Sequence, residues 1–328
     1  MSRLTIIIPF FNDTPMEAFE ETLASVLVHR PEGSEILIAN GTSYSDPWNT
    51  ANEGVVFLSL DRFNNPVDIL NEAVRRASGD IIHILWSGTE VTVDWSIPSL
   101  ELFDDPQVGI VVPSVYDRRK PKRVFSFGIH YKPEGVLRTI RRSHWAEASN
   151  KTIVPHISAV FFRAEAVRNT SFFDRTLIPQ IAYVDLAMTL AERGWNIVVA
   201  QKCRIMVRPN HLPTTSPFVW GMQTERIYFR WLGGHGSFWT LGAHFSSFFV
   251  DFWRHFPRLK CYKILSGRLF GLLFFGEMIP FVRQFQKGAP KRCSSKTASG
   301  TELSAPILTR LSGNDTVRQE SVSGKKSA

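Results

Sequence analysis

The chain has 328 residues, 44% of them hydrophobic, and a formal net charge of +8, which is enough for one large α/β core. Residues 1–249 hold 24 basic and 25 acidic side chains, whereas residues 250–286 hold 6 and 2 and residues 287–328 hold 8 and 3. A neutral body with a basic C-terminal end is not the pattern of a nucleic-acid-binding protein, and it suits either contact with an anionic membrane or simple solubility.

The first 200 residues alternate between β-branched apolar runs and segments with helical spacing. The predicted strands are 4–9, 35–39, 55–60, 81–85, 108–113, 154–162 and 195–200, with 125–131 as part of a hairpin. The predicted helices are 15–28, 66–77 and 182–193. This alternation predicts an α/β fold with a doubly wound, mostly parallel sheet.

Three regions follow from composition. Residues 1–217 hold the predicted sheet, and residues 218–286 are rich in Phe and Trp with Arg and Lys at intervals, which predicts amphipathic helices. Residues 287–328 are rich in Ser, Lys and Gly, lack aromatic residues and are predicted to be a disordered basic tail.

Features that mark other compartments are missing from this sequence. Its three cysteines are widely spaced, which favours a reducing cytosol over a zinc site or a disulfide framework. The N-terminal MSRLTIIIPFF lacks a small-residue cleavage site and predicts a strand rather than a signal peptide. Gly and His interrupt the uncharged stretch between Arg230 and Asp251, so we do not predict a transmembrane helix there.

The order of several short segments carries a resemblance. IIIPFFND, EILIANGTS, ILNEAVRRASGDIIHILWSGTEV, VDLAMTLAERGW and RPNHLP follow one another along the chain. In this order they resemble the family 2 glycosyltransferases of GT-A fold, over residues 3–230, and the aromatic, basic extension is similar to that of rhamnosyltransferase-like members. The resemblance implies a cytoplasmic enzyme that uses a nucleotide-sugar and a glycan or lipid-linked acceptor. No G-x-G-x-x-G follows the first strand, which argues against a nicotinamide-binding Rossmann domain.

The resemblance places the nucleotide over the carboxyl ends of the first strands. The positions that it implies for nucleotide-sugar binding are Pro9, Phe11, Asn12, Asn40, Ser43, Asn71, Trp86, Gly88 and His211. Asn40 stands where the family usually has an Asp that accepts from the base; an amide keeps one acceptor and adds donors. Strand-end packing for Pro9 and Phe11, turn chemistry for Asn40 and a plain loop position for His211 remain alternatives.

The metal-binding DxD motif of the family aligns with Trp86–Ser87–Gly88, which supplies no chelating pair. We therefore expect no divalent metal cofactor. Cations would then have to neutralise the leaving diphosphate. The candidates are Arg204, Arg208 and the cluster Arg118, Arg119, Lys120, Lys122 and Arg123, with a solvated basic loop as the alternative. Glu90 is a catalytic candidate, with a solvated loop carboxylate as its alternative.

The general base of the family is the Asp of a Glu-Asp pair at the start of a helix, where this chain has Ala182 and Tyr183. Asp185, two residues further on, is the other catalytic candidate. Because a helix turns by about 100° per residue, Asp185 points to another side of the axis, and we expect a structural role near the helix N-terminus. Two hypotheses remain: a metal-independent glycosyltransferase, or an inactive GT-A pseudoenzyme that binds a nucleotide, a glycan or a partner.

The C-terminal third has aromatic residues at spacings of three to seven: Trp239, Phe245, Phe248, Phe249, Phe252, Trp253 and Phe256. Basic residues follow closely, as in a helix that lies at an anionic membrane surface. Packing on the catalytic domain and a homodimer contact are the alternatives.

Overall fold

The computed structural model describes residues 3–44, 50–141, 153–233, 238–256 and 258–274. The strands of the first half are β1 (Leu4–Phe10), β2 (Glu35–Asn40), β3 (Val55–Ser59), β4 (Ile81–Leu85), β5 (Thr89–Glu90) and β6 (Val108–Asp117). Those of the second half are β7 (Lys120–Ser126), β8 (Ile129–Tyr131), β9 (Leu137–Thr139), β10 (Ile153–Val154), β11 (Ala159–Arg163) and β12 (Asn196–Val207). The helices are α1 (Met16–His29), α2 (Pro66–Arg76), α3 (Ile97–Leu100), α4 (Ala164–Arg168), α5 (Pro179–Glu192), α6 (Pro217–Tyr228), α7 (Phe238–His255) and α8 (Leu259–Phe274).

The central sheet has the strand order β3-β2-β1-β4-β11-β6-β12-β5, with β7 added to β6. Strands β3, β2, β1 and β4 are parallel, and β6 is parallel to β12. Strand β11 runs antiparallel between β4 and β6, and β5 runs antiparallel to β12. The predicted α/β class is confirmed. The sheet is parallel from β3 to β4 and mixed beyond β4.

Both faces of this sheet are covered. All seven residues of β1 are buried, as its unbroken apolar run predicts. Helix α1 packs Phe19, Leu23 and Val26 into the core on one face, and α2 and α5 pack into the core on the other. Burial on two faces explains why continuous apolar segments, rather than alternating ones, form these strands.

Several predicted segments have other limits in the structure. The strand predicted at 195–200 runs on to Val207 as β12. Segment 154–162 splits: β10 joins the small sheet β10-β8-β9 and β11 enters the central sheet, with Pro155 and a turn between them. Strand β6 continues past Pro113 because that proline lies at a bulge, where β12 jumps from Ala200 to Arg204. Segment 125–131 is likewise divided, between β7 of the central sheet and β8 of the small one.

The C-terminal helices pack against one another closely. A methyl group added at Gly267 of α8 would lie 2.0 Å from the carbonyl oxygen of Phe218 on α6, so only glycine allows this approach. The fully buried carboxylate of Glu225 on α6 accepts hydrogen bonds from Arg268 of α8 at 2.5 Å and contacts His244 of α7 at 2.8 Å. The predicted amphipathic helices of 218–286 are therefore present as far as Phe274.

Among the described residues, the sheet and α6 to α8 belong to one compact unit. The predicted boundaries at 217 and 286 stay predictions. Residues 275–286 and the predicted tail 287–328 lie outside the described residues. None of the described helices combines the length and the apolar composition that crossing a bilayer requires.

Candidate functional site

The turn after β4, residues 86–88, is held in place by hydrogen bonds from each of its residues. The indole N–H of Trp86 donates to the hydroxyl of Tyr183 at 3.0 Å, and the Ser87 hydroxyl donates to the carbonyl of Pro9 at 2.8 Å. Gly88 has φ +89°, and its N–H donates to the hydroxyl of Thr22 at 2.9 Å. Indole and glycine are not oxygen ligands, so this donor set does not fit a hard divalent cation. Within the described part of the chain, no three His, Cys, Asp or Glu side chains converge as a metal site.

Tyr183 connects the two positions at which the resemblance implies that motif residues are missing. The resemblance places Tyr183 at the general base and Trp86 at the first metal ligand, and the Tyr183 hydroxyl accepts a hydrogen bond from the Trp86 indole. Both residues are buried, and burial raises the pKa of the Tyr183 hydroxyl far above its usual value. A hydroxyl that stays protonated cannot take a proton from an acceptor, so the geometry does not support Tyr183 as a general base.

Asp185 lies apart from this pair. Helix α5 begins at Pro179, so Asp185 is in its second turn and the predicted location near the helix N-terminus is wrong, whereas the predicted structural role stays a prediction. Its carboxylate accepts from Arg230 at 3.0 Å and from the indole of Trp231 at 2.8 Å. It lines a cavity of about 590 Å³, here called the Asp185 cavity, which also includes Asn71.

Glu90 is not the solvated loop carboxylate given as its alternative. It lies in β5, opposite Met206 of β12, and forms an ion pair with Arg118. Burial, the largest effect on it, raises the pKa of this carboxyl. Arg118 also pairs with Glu21 at 3.1 Å. Glu90 therefore belongs to a surface ion-pair network with Arg118 and Glu21, which is built on β5 and α1.

The predicted cations are used elsewhere. Arg208 contacts Glu21 at 2.6 Å, in the network that holds Glu90, and Arg204 stacks over the ring of Tyr116 at 4.5 Å. Arg119 is exposed at the turn between β6 and β7. None of these arginines lines a described cavity.

A different cleft lies where β1 and β4 end. The Trp86 cleft has a volume of about 440 Å³, within the approximate 300–1,000 Å³ of small-molecule sites. Phe11 and Trp86 form part of its wall, with ring centroids 5.5 Å apart. These are two of the predicted nucleotide-binding residues. The cleft lies in the crevice that open α/β sheets offer to ligands.

Polar residues that the sequence analysis missed complete the cleft: Asp13, Asn65, Arg175, Thr176, Gln180 and Gln223. The side chain of Arg175 is 74% exposed and touches Asp68 at 3.4 Å, so it is held loosely. Arg175 lies in the loop before α5, whose start is marked by Pro179. A proline at the first helical position was the available signal that the helix begins before residue 182.

The remaining predicted residues take various places. Asn12 and Ser43 are exposed and Pro9 is buried in β1. Both ends of the Asn40 amide are used in its own turn: it donates to the carbonyl of Tyr44 at 2.8 Å and accepts from Thr42. This is the turn chemistry given as its alternative.

Asn71 and His211 also have defined partners. The Asn71 amide donates to the carbonyl of Phe173 and accepts from its N–H, each at 2.9 Å, and so ties α2 to the loop before α5. His211 lies against Gly88, because a methyl group there would be 2.6 Å from the His211 Cβ. The His211 Nδ1 atom is buried without a hydrogen-bond partner among the described residues. The turn after β4 and the RPNHLP segment therefore meet.

A third cavity adjoins the cleft. The Lys260 cavity has a volume of about 540 Å³ and shares Gln180, Pro213, Thr214 and Thr215 with the Trp86 cleft. Gln180 donates to the carbonyl of Pro213 at 2.9 Å and accepts from Thr215 at 3.1 Å. This small hydrogen-bonded strap is the partition between two cavities, each of a size for one substrate.

Comparison with known proteins agrees with this architecture. Residues 5–169 match the family model described as glycosyl transferase family 2, and the chain belongs to that family. It is 29% identical over 209 residues to the poly-β-1,6-N-acetyl-D-glucosamine synthase of Staphylococcus aureus strain COL, an alignment that covers 60% of this chain and 48% of the synthase. The chain spans about half the length of the curated relatives that it matches.

Solved structures share the fold at low sequence identity. The mannosyltransferase PcManGT from Pyrobaculum calidifontis, in complex with GDP-Man and Mn²⁺, has a TM-score of 0.52 and 15% identity, over 88% of this chain and 79% of that one. GalNAc-T7 with UDP, GalNAc and Mn²⁺ has a TM-score of 0.55 and 14% identity, over 88% and 58%. The GT-A fold is thereby shown.

Proposed function

We propose that this chain is a metal-independent glycosyltransferase that binds a nucleotide-sugar in the Trp86 cleft. The observation that carries the proposal is the position of this cleft at the carboxyl ends of β1 and β4, with Phe11 and Trp86 in its wall and Arg175 at its edge. The name of the curated relatives supports polysaccharide synthesis. We accordingly propose a glycan or a lipid-linked glycan as the acceptor, reached at the cytoplasmic face of a membrane.

Arg175 is the residue that we assign to the leaving diphosphate. Departure of the sugar leaves negative charge on the phosphates, and an Arg fork can bind two of their oxygens at once. Among the described residues that line the cleft, Arg175 is the only Lys or Arg, and it is held by one long contact to Asp68. It is therefore free to turn inward without breaking a buried ion pair.

The part of the cleft wall that Trp86 forms supports independence from a metal ion. A cation held by carboxylates would occupy the turn after β4, where the Trp86 ring now fills the space and is bonded to Tyr183. Asp13 is the one carboxylate among the described lining residues of the cleft. It is the group in reach for a hydrogen bond with the nucleoside or for removing a proton from the acceptor.

The experiment is a thermal-shift panel of UDP-, GDP-, TDP- and CDP-sugars, with and without Mn²⁺ and EDTA, because a ligand that binds the folded state raises the melting temperature. We expect one nucleotide class to stabilise the chain equally in Mn²⁺ and in EDTA. Affinity at least about tenfold weaker in EDTA, or 1.4 kcal/mol, contradicts metal independence.

Substitutions test the assignments. Arg175→Ala should weaken nucleotide-sugar binding by about 10- to 150-fold, as expected when a charged hydrogen-bonding partner worth roughly 1.5–3 kcal/mol is lost, whereas the control Arg119→Ala should not. For Asp13→Asn, turnover is measured by release of the nucleoside diphosphate and binding by the thermal shift with nucleotide-sugar. The two measurements together distinguish loss of turnover from loss of binding. Binding without turnover in the unmodified chain, over all glycan acceptors tried, would favour the pseudoenzyme hypothesis instead.

A further inference from the structure

The C-terminal helices carry most of the exposed apolar surface of the described residues. Of fifteen large hydrophobic side chains that are exposed, ten lie between Phe245 and Leu273, and the other five are scattered from Met16 to Ile97. Contiguous apolar surface on a soluble chain marks a contact site, whereas isolated exposed residues are ordinary.

Helix α7 presents its share on a single side. Phe245, Phe249 and Trp253 follow one another at intervals of four, and Val250 lies beside them. Phe249 is 70% and Trp253 67% exposed. At about 100° per residue, these positions form one stripe along the helix, opposite the buried His244 and Ser247.

Helix α8 presents a second stripe. Leu259, Tyr262, Leu269, Phe270 and Leu273 lie within an arc of about 100° at the same turn per residue. The opposite side of α8 holds Cys261, Ile264 and Arg268, which are buried. The apolar stripe therefore faces away from the core.

Aromatic contacts join the two stripes into one surface, here called the apolar face. The ring of Phe252 lies 5.4 Å from that of Tyr262 and 5.8 Å from that of Phe256, which contacts Trp253 at 5.4 Å. The other sides of both helices are fixed by the buried ion pair of Glu225 and Arg268 and by the contact of Glu225 with His244. The helices cannot turn this face inward without breaking that network.

The charges along the α8 part of the apolar face are of one sign, whereas α7 contains Asp251 and Arg254. Residues 258–274 contain Arg258, Lys260, Lys263 and Arg268 and no Asp or Glu. Arg258, Lys260 and Lys263 are exposed, and Lys263 lies at the edge of the α8 stripe. Long basic side chains at the border of an apolar stripe reach lipid phosphates while their stems stay on apolar surface.

We propose that the apolar face rests on an anionic lipid bilayer. Aromatic side chains with flanking cations suit the headgroup boundary of such a surface. Lys260 and Ile264 of α8 also line the Lys260 cavity, next to the Trp86 cleft. Because Ile264 and Arg268 are on the side of α8 opposite the stripe, docking leaves this cavity on the protein side of the helix and holds the chain at the membrane that would carry a lipid-linked acceptor, a step that rests on the proposed function.

The test is flotation of the full 328-residue chain with vesicles of phosphatidylglycerol and phosphatidylcholine, and with phosphatidylcholine alone. The variant is Phe249→Glu with Trp253→Glu. The matched control is Val28→Glu with Val93→Glu, at side chains that are 74% and 69% exposed elsewhere. We expect the unmodified chain and the control to float with anionic vesicles, and the variant to bind at least about tenfold more weakly, or 1.4 kcal/mol.

Three results would overturn the proposal. A variant that floats as well as the unmodified chain assigns binding to the basic segment 287–328. A chain that ignores vesicles but changes from dimer to monomer in the variant assigns the face to a second copy. A chain that ignores vesicles and loses thermal stability in the variant assigns it to another segment of the same chain. The thermal shift by nucleotide-sugar is measured on every variant, so a failure of lipid docking is distinguished from a failure of the proposed function.

Discussion

Replacing Tyr183 by Phe tests whether the hydroxyl is a structural group or a catalytic one. Tyr183 is fully buried and Trp86 is 3% exposed, so removing the hydroxyl leaves the indole N–H without its partner at 3.0 Å. A buried donor left unsatisfied costs about 1–3 kcal/mol. We expect the free energy of unfolding, measured by urea denaturation, to fall by that amount. The thermal shift by nucleotide-sugar should be unchanged, because Tyr183 does not line the Trp86 cleft.

A double-mutant cycle isolates the hydrogen bond from the change in packing. In the background of Trp86→Phe the indole donor is absent and the Tyr183 hydroxyl itself is unsatisfied, so Tyr183→Phe should be neutral or stabilising there. The two substitutions should therefore be coupled by about 1–3 kcal/mol. Additive costs would refute the bond. A large loss of turnover in Tyr183→Phe, with unchanged stability, would refute the structural role.

Three further substitutions test other parts of the fold. Gly88→Ala should destabilise the chain by about 1–3 kcal/mol and by more than Gly33→Ala, because both glycines have positive φ but only Gly88 lies against His211; urea denaturation of the pair measures the difference. Burial lowers the pKa of His83 to about 3, so below pH 6.5 the unfolded chain takes up a proton that the folded chain does not. Stability should therefore fall by about 2 kcal/mol between pH 7 and pH 5, at 1.4 kcal/mol per unit, and His83→Leu should remove this part of the pH dependence. Glu225→Gln should cost about 3–5 kcal/mol by removing the charge that a buried arginine contacts, again measured in urea.

The fold was predictable because its strands have an unusual and readable composition. A strand covered on both faces, such as β1 or β4, needs an unbroken apolar run, and such runs are visible in the sequence. The limits of β6 and the division of segment 154–162 were not predictable in this way. They depend on a bulge and on which sheet each half joins, and these are set by contacts between residues far apart in the chain.

The candidate site was predictable at the ends of β1 and β4 and not elsewhere. Phe11 and Trp86 follow strands, and the carboxyl ends of parallel strands meet at one edge of a sheet. Arg175 could not be distinguished from other loop arginines in the sequence, because its proposed binding role depends on which cavity it borders. Arg118 and Arg208 have the same charge, but their glutamate partners come from β5 and α1. Only the packing of these elements shows that they are already neutralised.

Trp86 and Tyr183, which the resemblance places at the metal-ligand and general-base positions, have a physical connection that bears on the proposed chemistry. If the metal ligand alone had been lost, a carboxylate at position 183 would face a buried indole with no cation beside it, which is costly. If the base alone had been lost, a carboxylate at position 86 would face the Tyr183 ring. The observed pair is neutral, buried and hydrogen-bonded, so it removes both charges at once without an unsatisfied group. The Trp86 cleft above this pair has a volume of about 440 Å³ and Arg175 at its edge, and in the metal-independent transfer that we propose Arg175 holds the leaving diphosphate.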